Sequence, residues 1–471
     1  MQTTTPDPAQ PPTLSHGYAS SFSTLSQSLS FHASPHAFLS ERGQVDTRGP
    51  PPAVAAKILN RNVAVFASHG QCREILDAEE AESRSIRRTA GGNTFAALPA
   101  YRQLMVDFFP QPNLLLLDGE EHGGLRGPWN KHMAGVCANS GPFIREVARR
   151  EVARWREGKA MDVYECMKDL GWRLLLGVFL GLGPEEPEYE EMVKLQEDLL
   201  RGQFSLFPVA ISMPFWSSAR SRGLKARKKL QGMLRERLGR RQASCPFARA
   251  EGIEEGEVAA NALLFTSSIA LKSLASLLTA SLLNIHLLPG EKSLAERLRS
   301  CDGDGREALM RSILKETERL SPPVIGVMRR VQEDIVLAQP DGTDATVPSG
   351  WDAWLYFVGA NRNESVYDNA SVFDAERFVN DETHKAHAEP LAFGAGQKRC
   401  LGRDLVREMV YIICDEIVGA VDLDGCVEAD GVRGWLGWDG SVGAEGIAKD
   451  MKQLPCQRPR EAIMLHVRRR D

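Results

Sequence analysis

Among the nine cysteines of this 471-residue chain, at 72, 137, 166, 245, 301, 400, 414, 426 and 456, no two form a Cys-x-x-Cys pair, and the total is odd. That scatter argues against a disulfide framework or a zinc site and suits a reducing compartment. Neither sign of charge dominates. With 57 Lys+Arg against 62 Asp+Glu the net charge is −5, which gives no reason to expect nucleic acid as a partner. The N-terminus has no apolar run after a basic start, so neither a secretory signal nor a membrane anchor is expected. Internal repeats are missing as well. Residues 1–40 hold one acidic residue, Asp7, and no Lys or Arg. The abundant serine would suit organelle targeting, but the missing arginines argue against it. A disordered Ser/Pro-rich leader over 1–45, a folded domain over 46–471 and a cytoplasmic location are the expectation.

What is present reads as a soluble globular protein, 43% hydrophobic and 25% charged. Apolar residues recur at helical spacing through Gly141–Gly183, Leu309–Leu320 and Asp404–Val418, while short strands are expected over 331–357 and near the C-terminus. The fold class is therefore mainly α with a small β region. Val258–Leu288 is the longest apolar stretch, about 46 Å if it forms one continuous helix. Lys272, Asn284, His286 and many Ser/Thr make it a buried core helix rather than a membrane span. Gln203–Trp216 carries Phe204, Phe207, Met213, Phe215 and Trp216 ahead of a basic helix, Arg220–Arg241.

The chain is organised around Phe393-Gly-Ala-Gly-Gln-Lys398-Arg-Cys400-Leu-Gly402. Its glycines permit positive φ and close approach of a large flat ligand, and a helix starting near Gly402 turns its free N–H groups toward the sulfur, favouring a thiolate. The spacing Phe-x-x-Gly-x-Lys-x-Cys-x-Gly resembles the heme-binding signature of cytochromes P450. The resemblance implies heme b with Cys400 as the iron ligand, lying between a long distal helix and this proximal loop. It also implies propionate contacts from His122 and Arg126, from Lys398 where the family usually has Arg or His, and from Arg330 or its neighbour Arg329. Phe393 and Gly402 belong to the same cofactor-binding loop. Glu316 and Arg319, three apart on a helix, with Arg377 downstream, resemble the family's buried structural triad.

The distal helix departs from the family's Ala/Gly-Gly-x-Asp/Glu-Thr. Counting back from Pro289 at the family's spacing puts Ser273 in the alcohol position, Lys272 in the acid position and Ala270 in place of the glycine. Ser273 still offers a hydroxyl for proton delivery. A lysine there resembles the arginine that holds the substrate carboxylate in bacterial fatty-acid peroxygenases, unless it snorkels away from the pocket. The resemblance thus implies an oxidoreductase, a monooxygenase acting on a hydrophobic small molecule of secondary metabolism such as a terpenoid, sterol-like or fatty-acid compound. A separate redox partner, reductase or ferredoxin, would supply electrons to a basic surface around Lys398, Arg399, Arg403 and Arg407. The alternatives are a peroxygenase or hydroperoxide isomerase or dehydratase needing no donor, and a heme sensor or carrier without turnover. A monomer touching membranes peripherally at most, through the greasy 203–216 segment, completes the expectation.

Overall fold

In this computed structural model residues 21–470 are described, except 42–52, 59–60, 78–84, 89–93, 206–208, 241–246, 248–249, 251, 340–341, 380–387, 439 and 441–443. Helices dominate. α5 (Gly119–Arg154), α6 (Val163–Leu180), α10 (Ser268–Leu287), α12 (Gly303–Leu320) and α14 (Arg403–Ala420) share one core, α5 lying on α14 while α10 packs against α6, α12 and α14. Their starts follow local chemistry: Asp162 caps α6 through the N–H groups of Tyr164 and Glu165, and Ser293 and Glu296 form a capping box on α11 (Leu294–Ser300). Above this core α7 (Glu188–Gln203) and α8 (Ala219–Gly239) form a pair resting on α9 (Glu255–Phe265). A Cβ at Gly202 would lie 2.8 Å from the Gly223 Cα, so only two glycines let these backbones touch.

The β region is small. β1 (Val54–Ile58), β2 (Arg61–Phe66), β4 (Phe95–Ala96), β8 (Gly326–Val331) and β11 (Asp352–Tyr356) form one sheet in the order β1-β2-β11-β8-β4. β3 (Ile86–Arg88), β9 (Ile335–Ala338) and β10 (Asp344–Val347) form a second, and β5 (Ala160–Asp162), β12 (Val421–Asp424) and β15 (Met464–Arg469) a third. Two hairpins, β6 (Ser212–Met213) with β7 (Trp216–Ser217) and β13 (Met451–Lys452) with β14 (Arg458–Pro459), complete it. The first sheet is buried on both faces: Ala64, Phe66, Ala353 and Leu355 enter one cluster, and the alternating Val63, Val65, Trp354 and Tyr356 enter another.

That second cluster corrects the leader. Within 1–45, where disorder was expected, residues 21–41 form α1 (Ser21–Ala33) and α2 (Pro35–Ser40), with Phe38 and Leu39 fully buried and Phe31 edge-on to Trp354 at 4.7 Å between ring centroids. Ser34 caps α2 ahead of Pro35, a pairing that starts helices well. Three apolar anchors suffice here, since full burial of a Phe or Leu contributes about 1.5–3 kcal/mol each. Residues 1–20 and 42–45 of the expected leader lie outside the described residues. A second correction concerns the central helix. Val258–Leu288 is not continuous but breaks between α9 and α10 at Thr266 and Ser267. α10 is long and apolar enough to cross a membrane, yet 78% of its apolar window is buried, as a core helix requires.

Four buried histidines, His36, His69, His122 and His286, are held neutral. Desolvation, helped by the Arg362 charge, pushes His36 down to about 3, and its Nδ1 lies 2.8 Å from the Tyr356 hydroxyl. Because the unfolded value is near 6.5, the unfolded chain gains protons that the fold refuses as the pH drops below that point. Stability should fall from about pH 6.5 downward, by up to about 1.4 kcal/mol per pH unit for each such histidine. In urea titrations between pH 7.5 and 5, His36→Gln should show a shallower loss than the parent protein.

Candidate active site

The Cys400 loop is shaped by backbone before side chains enter. Gly394 and Gly396 have φ of +71° and +65°, the left-handed region, and a Cβ on Gly396 would strike the Leu76 carbonyl oxygen, 2.1 Å away, at the end of α3 (His69–Leu76). The Cys400 N–H donates to the Phe393 carbonyl at 2.8 Å, closing the loop, and Gly402 caps α14. Cys400 is exposed as a residue, yet protein packed around its sulfur desolvates it and raises the thiol pKa. The Gly402 N–H, Arg126 and Arg403 oppose that rise. A thiol so placed loses its proton to solvent when a metal cation binds the sulfur.

Behind the loop lies a fully buried ion network. Arg319 grips both oxygens of Glu316 at 2.7 Å, and Arg377 Nε reaches Glu316 Oε1 at 3.0 Å. Burial alone would raise the Glu316 pKa, but Arg319 and Arg377 outweigh it and hold the carboxylate ionised. The network is tied to the loop through Asn361, whose carbonyl accepts from Arg319 at 2.8 Å and whose side chain accepts from the Leu391 N–H at 2.9 Å. The sequence-expected triad is thus assembled.

Cations gather on another side. His122 and Arg126 stand on α5, Arg126 donating to the Arg399 carbonyl at 2.7 Å, while Lys398 pairs with Asp118 at 2.9 Å. His122 is pushed down to about 4 by desolvation, then by Lys398 and Arg126, with Arg329 adding a smaller push. Arg329 is buried and feels Tyr101 and Asp118. Arg330 is a correction: neighbours on a strand face opposite ways, and its Nε is bound to its cross-strand partner Asp352 at 2.8 Å, where Arg61 also pairs. Arg329, rather than Arg330, lies near His122 and Asp118. Lys398 and Arg329 feel the carboxylate of Asp118, as does the neutral His122, while Arg126 feels Cys400 and Arg399; three guanidinium and ammonium cations against that carboxylate fit a ligand bearing carboxylates of its own.

The basic surface expected for a donor is largely neutralised. Arg407 is engaged by Glu318 and Glu389, its side chain 5.4 Å over the Phe393 ring, Arg403 pairs with Asp404, and Lys398 with Asp118.

On the distal side, Ser273 Oγ lies 3.2 Å from Cys456 Sγ. Lys272 is half-buried, makes no hydrogen bond or ion pair among the described residues, and feels chiefly desolvation and then Arg458, with Glu197 of α7 opposing. Ala270 is half-buried, its N–H donating to Ser267 Oγ at 3.4 Å. No hydrogen bond or ion pair among the described residues joins these three to the Cys400 loop. The break brings in residues outside the expected set. Thr266 Oγ1 donates to the Ala262 carbonyl and accepts from Gln196 Nε2, and Ser267 caps α10. The run Thr-Ser-Ser carried that signal, since such residues prefer caps to helix interiors.

The family model described as Cytochrome P450 matches residues 308–424, from the Glu316 helix through the cysteine loop. This match, the cysteine loop and the buried ion network support a cytochrome P450. Its sequence is similar to Cytochrome P450 85A1 of Oryza sativa, 21% identical over 69% of this chain and 73% of that one. It is also similar to Cytochrome P450 26B1 of Mus musculus, 25% identical over 70% and 71%. The fold matches a retinoic acid-bound cyanobacterial CYP120A1 (TM-score 0.68, 18% identity, 89% and 92% covered). It also matches cytochrome P450EX alpha with myristic acid (TM-score 0.66, 15% identity, 94% and 97% covered). The matches indicate a P450 monooxygenase with heme b, and the positive-φ glycines of the cysteine loop and the cations beside Asp118 fit heme.

Two outcomes follow for the P450's supports. Glu316→Ala strands two buried arginines and should cost about 3–5 kcal/mol in denaturant unfolding. In hemin titrations Arg329→Ala should weaken uptake about tenfold, while Arg330→Ala leaves it within twofold.

Proposed function

We propose that Cys400 is the heme-iron ligand and that this P450 oxidises a hydrophobic lipid-like molecule, terpenoid, sterol-like or fatty acid, in secondary metabolism. The observation carrying the reading is the Cys400 sulfur at the α14 N-terminus, anchored from behind by Glu316, Arg319 and Arg377 and flanked by Arg126 and by the Lys398–Asp118 pair. The structurally similar proteins with retinoic acid and myristic acid support a substrate with a long apolar body.

Bound through a thiolate, heme b supplies activation of dioxygen, one atom going to substrate and the other to water with two electrons from a donor. The chain does the rest. His122, Arg126, Lys398 and Arg329 would hold the propionates, the Gly402 N–H and the α14 dipole would restrain the sulfur's negative charge, and Phe393 with Arg407 walls the loop. Ser273 offers the hydroxyl for proton delivery, and Ala270 leaves space beside it. We place the electron donor, a reductase or ferredoxin, at the Arg399 face, and read the protein as a monomer.

A cytoplasmic location is supported by the free state of every described cysteine. Peripheral membrane contact is supported by the β6–β7 hairpin, where Met213, Phe215 and Trp216 are exposed.

A second reading, a donor-independent peroxygenase or hydroperoxide isomerase or dehydratase, is favoured by one observation: α10 contains no Asp or Glu, and Lys272 stands where an acid would. Reduced-CO spectra test the ligand, since the red-shifted thiolate band should be present in the parent and lost in Cys400→Ala. Turnover of a terpenoid and fatty-acid panel should require NAD(P)H and a reductase. Turnover with hydroperoxide alone would favour the second reading, and turnover under neither condition would leave a sensor or carrier.

A further inference from the structure

The five residues from Gln453 to Gln457 join parts of the chain that are distant in sequence. Gln453 and Gln457 are both buried. On one side, Gln453 Oε1 accepts from the Ser34 hydroxyl at 3.3 Å and from the His36 N–H at 2.9 Å, both at the α1–α2 junction. Gln453 then donates from Nε2 to Gln457 Oε1 at 3.4 Å. On the other side every polar group of Gln457 is engaged. Its backbone N–H donates to the Pro323 carbonyl at 2.8 Å and its side chain to the Pro322 carbonyl at 2.9 Å. Its carbonyl accepts from Ser276 of α10 at 2.5 Å. Between the two glutamines, Cys456 Sγ meets Ser273 Oγ at 3.2 Å and faces the Ile269 carbonyl at 3.8 Å.

The distal helix, the linker leaving α12 and the N-terminal α1–α2 segment are therefore read through one short loop. Packing holds the N-terminal end in place independently, because Phe31, Phe38 and Leu39 share a cluster with Leu454, Trp354 and Tyr356. Each glutamine amide is buried, so losing one partner leaves a polar group unmatched rather than returned to water. The rotamer of Gln453 is thus set from the α1–α2 side, and it in turn sets the carbonyl and sulfur that α10 meets.

We propose that Gln453 is a positioning residue through which the α1–α2 segment fixes the distal wall of the substrate chamber, at Ser273 and Ser276 of α10, and so tunes which ligands bind. This rests on the distal role of α10 in the function proposed above. It gives residues 21–41 a part in selectivity through polar contacts that include those to the sheet and to Gln453.

The test uses the full-length ferric holoprotein with Gln453→Leu, which removes both links, and Gln453→Glu, which keeps the acceptor toward Ser34 and His36 but loses the donor to Gln457. Three readouts are taken: amide hydrogen exchange across 266–280 and 453–458, dissociation constants from ligand-induced spectral shifts with a fatty acid and a terpenoid panel, and the reduced-CO band. Gln453→Leu should speed exchange in the first turns of α10 and change the ratio of fatty-acid to terpenoid affinities about tenfold, with the CO band intact. Gln453→Glu should reproduce the α10 effect while leaving exchange at 34–40 as in the parent. Faster exchange confined to 21–41 with ligand ratios within twofold would overturn the proposal. Should Gln453→Leu fail to fold, Ser34→Ala carries the same comparison, and unchanged exchange in both α10 and the 453–458 loop would equally overturn it. Loss of the CO band in the parent would instead count against the heme-thiolate reading, because the exchange coupling is read without reference to iron.

Discussion

One carboxylate shared between two buried arginines governs this protein. Glu316 takes two bonds from Arg319 and one from Arg377, and the remaining guanidinium hydrogens go to the carbonyls of Asn361, Ala370, Val372, Asp368 and Asn369. Desolvating three ions offsets much of their attraction, so the network is better understood as geometry than as raw stability. The chain between 361 and 377 must wind around the arginines to supply those oxygens. Asn361 passes that constraint to Leu391, and the Phe393 carbonyl passes it to Cys400. The sulfur's position is therefore inherited from α12, some eighty residues upstream.

Where function reduced to short spacing, the sequence was informative. Glu316 and Arg319 sit three apart on a helix, and the glycines around Cys400 admit few backbone paths, so both were legible without coordinates. Arg377 followed from its order along the chain. The choice between Arg329 and Arg330 was not legible, since two identical residues on one strand differ only in the face they take, and that depends on Asp352 in another strand. The break at Thr266 was readable as a cap but was outweighed by the apolar run on either side. The α1–α2 segment was hidden by its serine and proline content. Its three anchors matter only because Val63, Val65, Trp354 and Tyr356 offer an uncovered sheet face.

Longest-range among the side-chain hydrogen bonds given for the described residues is that of Ser34 with Gln453, separated by 419 positions. No periodicity or motif marks such a pair, and only the packing of both chain ends on the same sheet brings them together. Lys272 teaches the complementary lesson. Its type and position suggested chemistry, whereas its surroundings, Arg458 and Glu197, belong to the C-terminal region and to α7.

The interruption between α9 and α10 divides the distal element into two rods with different neighbours. α9 is carried with α8 and also touches α6, while α10 packs mainly on α6, α12 and α14, of which α12 and α14 hold the cysteine loop. Changes on α8 and α9 reach α10 across the Thr266–Ser267 joint, whereas the sulfur is set from α12 and α14. Chamber shape and metal-side geometry can thus drift at different rates within a single chain.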